Sequence, residues 1–519
     1  MRARFVLLFL VLLIPSARYA WKNRDMPQFE RTHDDGLLFV SAESLATGQG
    51  FRILSLPEQP AQTKYPVLYP LFLSIAWRIH PNFPQNLIVA TALDWMLIVL
   101  CLALAWLFYR QEKLPAWPLT ALLAFSPYLI LFGTRTFTEV FFTCWLLATF
   151  LLASRESLAM AVLAGMCAGC AYLSRTAGLP LVVAVPAWYL WKRDRSRAIA
   201  FAAAMLPFIL LWMLWSRSHL LPTSDPTLIY YTDYFKYERL NVGWDNIHLV
   251  IWHNIDELLY RAGVLALPGL IDLKIMRILT QVVAVGMISG IVRLARRGVA
   301  VPYALFAGLS SAILLVWHGI DERLLLPLFP LLIAGLFTEL EHLFAMIGQA
   351  RRHKDRSQRI MAGVFATAVL LLCAIALAAQ LYLTFFAIDN VAATDRQKLV
   401  ARRQAYAWIS QHVPTGAAIL SNDDPLLYLY TGHRGNGVFP LMRDLYYGDS
   451  RAAVLNAYRD VVPSSTSRGL SYFFASEGDL ARWGVDPELS SVVHSMLQSN
   501  PGLTPVYAND AGTLYKISP

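Results

Sequence analysis

Apolar runs long enough to cross a bilayer recur along this chain, separated by short loops rich in arginine and lysine. They fall at 4–20, 87–109, 115–133, 137–153, 158–174, 177–191, 198–216, 264–292, 299–317, 324–342 and 361–387. A spanning helix needs about 20 predominantly apolar residues. The pattern therefore predicts a polytopic α-helical membrane protein with about 11 transmembrane helices. Hydrophobic residues make up 56% of the chain and charged ones 15%, against roughly 45–50% and 25% in soluble domains, which excludes a soluble fold. The net charge of +9 does not point to nucleic acid, because the cations lie in loops between apolar runs.

Those cations orient the chain. Arg2 and Arg4, Arg110 and Lys113, the 192–197 run, Arg293, Arg296 and Arg297, and the cluster from Arg351 through His353 and Lys354 to Arg359 all fall on one face if eleven segments span. Basic loops mark the cytoplasmic side. The opposite face then receives the loop 21–86, the loop 217–263, the HGIDER turn at 318–323 and the tail 388–519. The N-terminal run has the basic start and apolar core of a signal peptide, but Arg18 and Tyr19 disturb the cleavage pattern, so a retained first helix is expected.

The parity requires that 66–80 does not span. It is short, carries Pro66, Pro70, Arg78 and His80, and reads as an interfacial helix. The stretch 35–47 reads likewise, with Leu37, Leu38, Val40, Leu45 and Ala46 roughly on one face and Gly48 at its end. The first outer loop is thus expected to hold two interfacial helices. The tail carries 11 Lys and Arg against 12 Asp and Glu. Its helix-like 395–411, strand-like AAILSN, short helix around 425–430 and β-like SYFFAS and GTLYKIS predict a small soluble α/β domain. All five cysteines lie in apolar segments, so no disulfide framework is expected. Cys167-x-x-Cys170, inside AVLAGMCAGCAYL, reads as small-residue helix packing rather than as a metal or redox pair.

Asp34 and Asp35 stand where the first helix exits. One aspartate suffices to cap a helix, whereas two adjacent carboxylates raise each other's pKa and suit a base or a ligand. Lys64, Arg135 and Arg323 fall on the same predicted face. Arginine offers bidentate donors to phosphate. Tyr65, Tyr69 and Trp77, with His318 in the HGIDER turn, supply rings suited to a sugar or lipid contact. The sequence shows no His/Cys ligand cluster, so no metal is assigned.

The ordered stretches HDDGLLFVSAESLATGQGF, KYPVLYPLF, RTFTEVFF, YLSRTAGLPL, DERLLLPLFP, YAWISQHVP and LYLYTGHR resemble the GT-C class of membrane glycosyltransferases, over nearly the whole chain. Protein O-mannosyltransferases, lipid A aminoarabinose transferases and their bacterial relatives are the nearest groups. The resemblance implies a GT-C fold and a sugar donor carried on polyprenyl phosphate. It also implies an acceptor outside the cytoplasm: lipid, glycan or protein. In that pattern Asp34, with Asp35 beside it, matches the acid of the first outer loop. Lys64 matches the lysine before a Pro-Pro-Leu-Tyr stretch, displaced by Tyr65, with Pro66 kept and Val67 replacing the second proline. Glu139 matches the acid at the start of the fourth helix. Arg323 matches the arginine of a late Arg-Tyr-x-x-Pro pattern, with Leu324 in place of the aromatic.

The resemblance therefore implies an inverting transfer. Asp34 would be the general base, Lys64 and Arg323, with Arg135, would hold the donor phosphate, and Glu139 would position the acceptor or a metal. Some members of the class use a divalent cation, Mg or Mn. The implied setting is a bacterial inner membrane, with the N-terminus cytoplasmic and with the active site and C-terminal domain periplasmic or extracellular. Two domains are expected, a catalytic membrane domain at 1–387 and the α/β domain at 388–519. The alternatives are a transporter, against which the surface clustering of acids and the lack of an internal repeat count, a receptor or scaffold, and a ligase or polymerase using a longer lipid-linked oligosaccharide.

Overall fold

The computed structural model describes residues 2–27, 33–269, 274–352, 356–476, 479–482 and 485–518. Asp272, inside one expected span, and His353 and Lys354 of the last basic cluster lie outside the described residues.

Among the described residues, six helices are long and apolar enough to cross a membrane: Val6–Asn23, Leu87–Gln111, Arg195–Ser218, Lys274–Arg296, Glu322–Arg351 and the apolar part of Arg356–His412. The pair Ala116–Ala124 and Pro127–Gly133, bent by 60°, makes a seventh. The bend follows from Pro127, which caps the second helix at its first turn with the Ser126 hydroxyl as N-cap. Thr138–Ala153, Leu158–Ser174, Thr176–Trp191 and Val301–Leu314 are shorter apolar helices. Each apolar run of the sequence thus has its helix. Within 264–292 a helix is described from Lys274 to Arg296, and a separate helix, Ile247–Val264, lies inside the expected outer loop.

The chain forms two compact units. The first comprises Met1–Lys22, Asp94–Leu210 and Ile251–Asn390, and the second Asn23–Leu93, Leu211–Val250 and Val391–Pro519. The first is the helical bundle. Small residues set its closest approaches, as packing between apolar helices in lipid requires. A Cβ on Gly290 would lie 1.8 Å from the Gly335 carbonyl oxygen, so Lys274–Arg296 and Phe329–Arg351 meet backbone to backbone. Around Cys167 and Cys170, a Cβ on Gly165 would lie 2.4 Å from the Phe201 carbonyl oxygen and one on Gly169 would strike the Phe208 ring, so this stretch packs tightly against Arg195–Ser218.

The second unit collects most of the residues expected on the outer face. Both helices of the first loop form, as Asp34–Ala46 and Leu68–Ile79. They differ in character. Leu68–Ile79 keeps an apolar stripe exposed at Leu71, Ile75 and Ile79, one turn apart, as an interfacial helix should. Asp34–Ala46 is not one-sided: Leu37, Leu38, Phe39, Val40 and Ala42 are all buried, and Trp77 Nε1 donates to the Phe39 carbonyl at 3.1 Å. A helix apolar all round is a core helix.

The first helix of the tail begins earlier than expected, at Ile388 rather than 395. The helix of Arg356–Tyr382 passes through a π-helical turn, Leu383–Ala387, into Ile388–His412. A four-stranded sheet follows, with β1 (Ala418–Leu420), β2 (Leu470–Ser476), β3 (Leu503–Asn509) and β4 (Gly512–Ile517) in the order β1-β2-β4-β3. β1 pairs parallel to β2, and the other pairs are antiparallel. Leu420, Val454, Phe473, Val493, Leu497 and Tyr515 form its core.

Candidate active site

Asp34 and Asp35 open the helix Asp34–Ala46, and one residue of helical rotation separates their fates. Asp35 is buried and its Oδ1 accepts the Gly36 N–H at 2.9 Å. Asp34 is half-buried, and its Oδ1 accepts a hydrogen bond from the Tyr65 hydroxyl. Burial, reinforced by the Asp34 charge, pushes the Tyr65 pKa well above its usual value. Tyr65 therefore stays a phenol and a donor.

Lys64 sits one residue away and is buried. Gln62 fixes this corner, its Oε1 accepting the backbone N–H groups of Lys64 at 3.0 Å and Tyr65 at 3.2 Å. The Lys64 ammonium lies 3.8 Å from the Tyr230 ring centroid and 5.0, 5.8 and 5.9 Å from those of Tyr65, Tyr237 and Tyr234. Apart from Tyr65, these rings come from Pro226–Thr232 and Tyr234–Val242, in the expected second outer loop. Ring faces attract a desolvated cation, each by roughly 0.5–2 kcal/mol. Tyr65 thus links the two groups, its hydroxyl bonded to Asp34 and its ring 5.0 Å from the Lys64 ammonium.

His33, immediately before Asp34, has a left-handed backbone (φ 65°). Its Nε2 lies 2.5 Å from Asp424 Oδ1 and its Nδ1 3.1 Å from the Tyr230 hydroxyl. Tyr231 donates to the same Asp424 oxygen at 2.8 Å. Burial raises the Asp424 pKa, opposed by the His33 contact and the Tyr231 bond.

The helical unit holds a second charged group. Glu139, fully buried in the first turn of Thr138–Ala153, pairs with Arg175 and lies 3.3 Å from Arg323 Nε. Arg175 also donates to Thr138 Oγ1 at 3.1 Å. Arg323 reaches Asp321 at 3.6 Å and stands over the Phe137 ring at 5.1 Å, whereas its neighbour Glu322 is taken by Arg261 at 2.6 Å. An apolar groove lined by Phe142, Phe306, Ile313, Leu314 and Leu324 includes Arg175 in its wall. Arg135 is buried in the turn before this helix. His318 stacks on Trp317, 5.9 Å between centroids.

The structure brings Asp34, Lys64 and Tyr65 together in one unit and Glu139 and Arg323 together in the other. Tyr69 is fully buried and stacked on Phe72. Three functional candidates were not singled out from the sequence. Arg175 follows a helix end in YLSRTAG, where its extended backbone (φ −150°) breaks the helix. His33 was adjacent to the acidic pair, and Asp424 was half of a second Asp-Asp pair. Among the described residues, no group of three or more His, Cys, Asp or Glu side chains gathers as a metal site.

The architecture is the GT-C fold of membrane glycosyltransferases. The structure is similar to the crystal structure of ArnT from Cupriavidus metallidurans bound to undecaprenyl phosphate. The TM-score is 0.52 at 10% identity, over 99% of this chain and 98% of that one. The same protein in its apo state gives 0.47 at 12% identity over the same shares. The arabinofuranosyltransferase AftD from mycobacteria gives 0.43 at 18% identity, over all of this chain and 40% of that one. No family model matches the sequence, and no curated protein matches it.

Proposed function

We propose that this chain is an inverting glycosyltransferase of the cell envelope. It moves a sugar from a polyprenyl-phosphate donor to an acceptor outside the cytoplasm, with the N-terminus cytoplasmic, 1–387 as the catalytic membrane domain and 388–519 extracytoplasmic. The observation that carries this reading is that Tyr65 links the two groups: its hydroxyl holds Asp34 and its ring lies 5.0 Å from the aromatic-shelled ammonium of Lys64. ArnT, whose fold this chain shares, binds undecaprenyl phosphate.

Asp34 takes the proton of the acceptor hydroxyl or amine. The acceptor attacks the anomeric carbon opposite the phosphate as that carbon–oxygen bond breaks, through an oxocarbenium-like transition state. The leaving phosphate is already an anion, so it calls for cations more than for an acid. Lys64 supplies one. In the helical unit, Arg175 and Arg323 offer the same donor chemistry, and Arg175 borders an apolar groove. Glu139 holds these two arginines in place.

The test is transfer from a panel of radiolabelled polyprenyl-phosphate sugars by purified protein, with membrane extract as acceptor source. Wild type is expected to transfer label, and Asp34→Asn to lose transfer while still binding donor. Full activity in Asp34→Asn removes the base assignment. Failure of folded wild type with every donor removes the reading.

A further inference from the structure

We propose that Asp424, from the C-terminal segment, is a positioning residue for the first-loop site, acting through His33 on Asp34. The inference rests on the reading of Asp34 as the base. Asp424 lies 391 positions from His33 in sequence, yet its side chain is fully buried against the imidazole. It stands in the first turn of Asp424–Thr431. Tyr231 donates to its Oδ1 at 2.8 Å and Ser55 to its Oδ2 at 3.4 Å. The adjacent Asp423 is engaged elsewhere, 3.1 Å from Arg402.

Both ring nitrogens of His33 are engaged, Nε2 with Asp424 and Nδ1 with the Tyr230 hydroxyl at 3.1 Å. Partners on two edges of the imidazole hold the ring in one orientation. The ring is further boxed by Phe439 and Tyr231, at 5.3 and 5.5 Å between centroids. Tyr230 stacks on Phe439 at 4.2 Å while its ring faces the Lys64 ammonium.

His33 is the residue that needs such holding. Its left-handed backbone is disfavoured for a residue with a Cβ, and it immediately precedes Asp34. The backbone turn at His33 sets where the helix Asp34–Ala46 begins, and so where the Asp34 carboxylate points. Releasing the imidazole lets that turn relax and moves the base. Lys64 is less affected, because Tyr230 remains packed on Phe439.

This separates positioning from mere cross-linking of the loop to the tail. A cross-link supports stability alone, whereas a positioning residue changes the chemical step with little change in donor binding. The experiment compares full-length wild type, Asp34→Asn, Asp424→Asn, Tyr230→Phe and the Asp424→Asn/Tyr230→Phe double variant. Each is assayed for kcat and donor KM with a polyprenyl-phosphate sugar that wild type uses, alongside thermal unfolding. Asp424→Asn is expected to lower kcat by about 10–100-fold, the range found when the partner orienting a metal-bound histidine is lost, with donor KM changed less than about threefold. Tyr230→Phe keeps the ring over Lys64 and removes the bond to His33, so it should also lower kcat. The double variant should be no worse than Asp424→Asn, since both act through one imidazole.

Unchanged kcat in folded Asp424→Asn overturns the proposal, as do losses that multiply in the double variant. If Asp424→Asn does not fold, Tyr230→Phe decides: a lowered kcat at unchanged donor KM supports the proposal, and an unchanged kcat overturns it. Wild type inactive with every donor removes the glycosyltransferase reading and this inference with it. Transfer lost in Asp34→Asn but intact in Asp424→Asn removes this inference alone.

Discussion

Replacing Glu139 with glutamine should destabilise the helical unit strongly, and the arrangement of charges says by how much. The carboxylate is fully buried and faces two guanidinium groups, Arg175 and Arg323, whose side chains are 17% and 12% exposed. Counting Asp321, 3.6 Å from Arg323, the group holds two negative and two positive charges. Removing Glu139 leaves one uncompensated cation where water has little access. Breaking a buried ion pair from one side costs about 3–5 kcal/mol. Coulombic attraction at 3.3 Å is of the same order, about 5 kcal/mol at an effective dielectric constant near 20. Glu139→Gln should therefore lose about 3–5 kcal/mol, read by equilibrium unfolding in mixed micelles. Glu139→Leu/Arg175→Leu, which removes one charge of each sign, should recover most of the loss. The freed arginines should also bind anions better, so undecaprenyl phosphate should raise the melting temperature of Glu139→Gln more than that of wild type. A loss below about 1 kcal/mol, well short of the range for a broken buried pair, or a double variant worse than the single, would refute the charge accounting.

Three further perturbations follow from the same geometry. Lys64→Met should raise the donor KM by about 10–100-fold, the scale of one lost hydrogen bond to a charged group, and a KM within twofold of wild type would remove Lys64 from the phosphate. Gly290→Ala places a methyl 1.8 Å from the Gly335 carbonyl, so the two helices must part at about 1–3 kcal/mol, and an unshifted melting temperature would show that they part freely. Glu43, in the helix Asp34–Ala46, is pushed up from 4.5 to about 7 by burial, and its Oε2 has no hydrogen-bond partner among the described residues. Because the folded state holds this proton more tightly than the unfolded chain, stability falls as pH rises from 4.5 through 7, and the penalty is full above 7. Glu43→Gln should match wild type near pH 4 and exceed it by about 3 kcal/mol at pH 8, and parallel pH–stability curves for the two proteins would contradict this.

Much of the architecture was legible because bilayer thickness acts on local sequence. Each apolar run has its helix, and even the bent pair Ala116–Ala124 and Pro127–Gly133 carries its cause, Pro127, in the sequence. The first-loop helices were equally visible, but not the burial of Asp34–Ala46. Its stretch Leu37–Val40 is unbroken by polar residues, and such a run in a short helix fits an interface or a core alike until the neighbours are known. In the tail, SYFFAS and GTLYKIS were read as strands, whereas LTPVYAN, interrupted by Pro505, was not; its place at the sheet edge, as β3, explains why that proline is tolerated.

Candidate chemistry divides along the same line. Asp34, Asp35 and Lys64 stand out in sequence because charged side chains beside apolar segments are costly and call for a reason. Which of the two aspartates is accessible was decided by one step of helical rotation, which buries Asp35 and leaves Asp34 to Tyr65. That Glu139 serves Arg175 as well as Arg323, that four tyrosines surround Lys64, and that Asp424 meets His33 were decided by tertiary packing alone. The sequence by itself determined that the chain lives in a membrane, how many apolar segments it has and where the first-loop charges lie, since those follow from transfer free energies read residue by residue. Only the tertiary structure decided which charges meet, because pairing across hundreds of residues depends on how the elements pack and leaves no periodic trace in the chain.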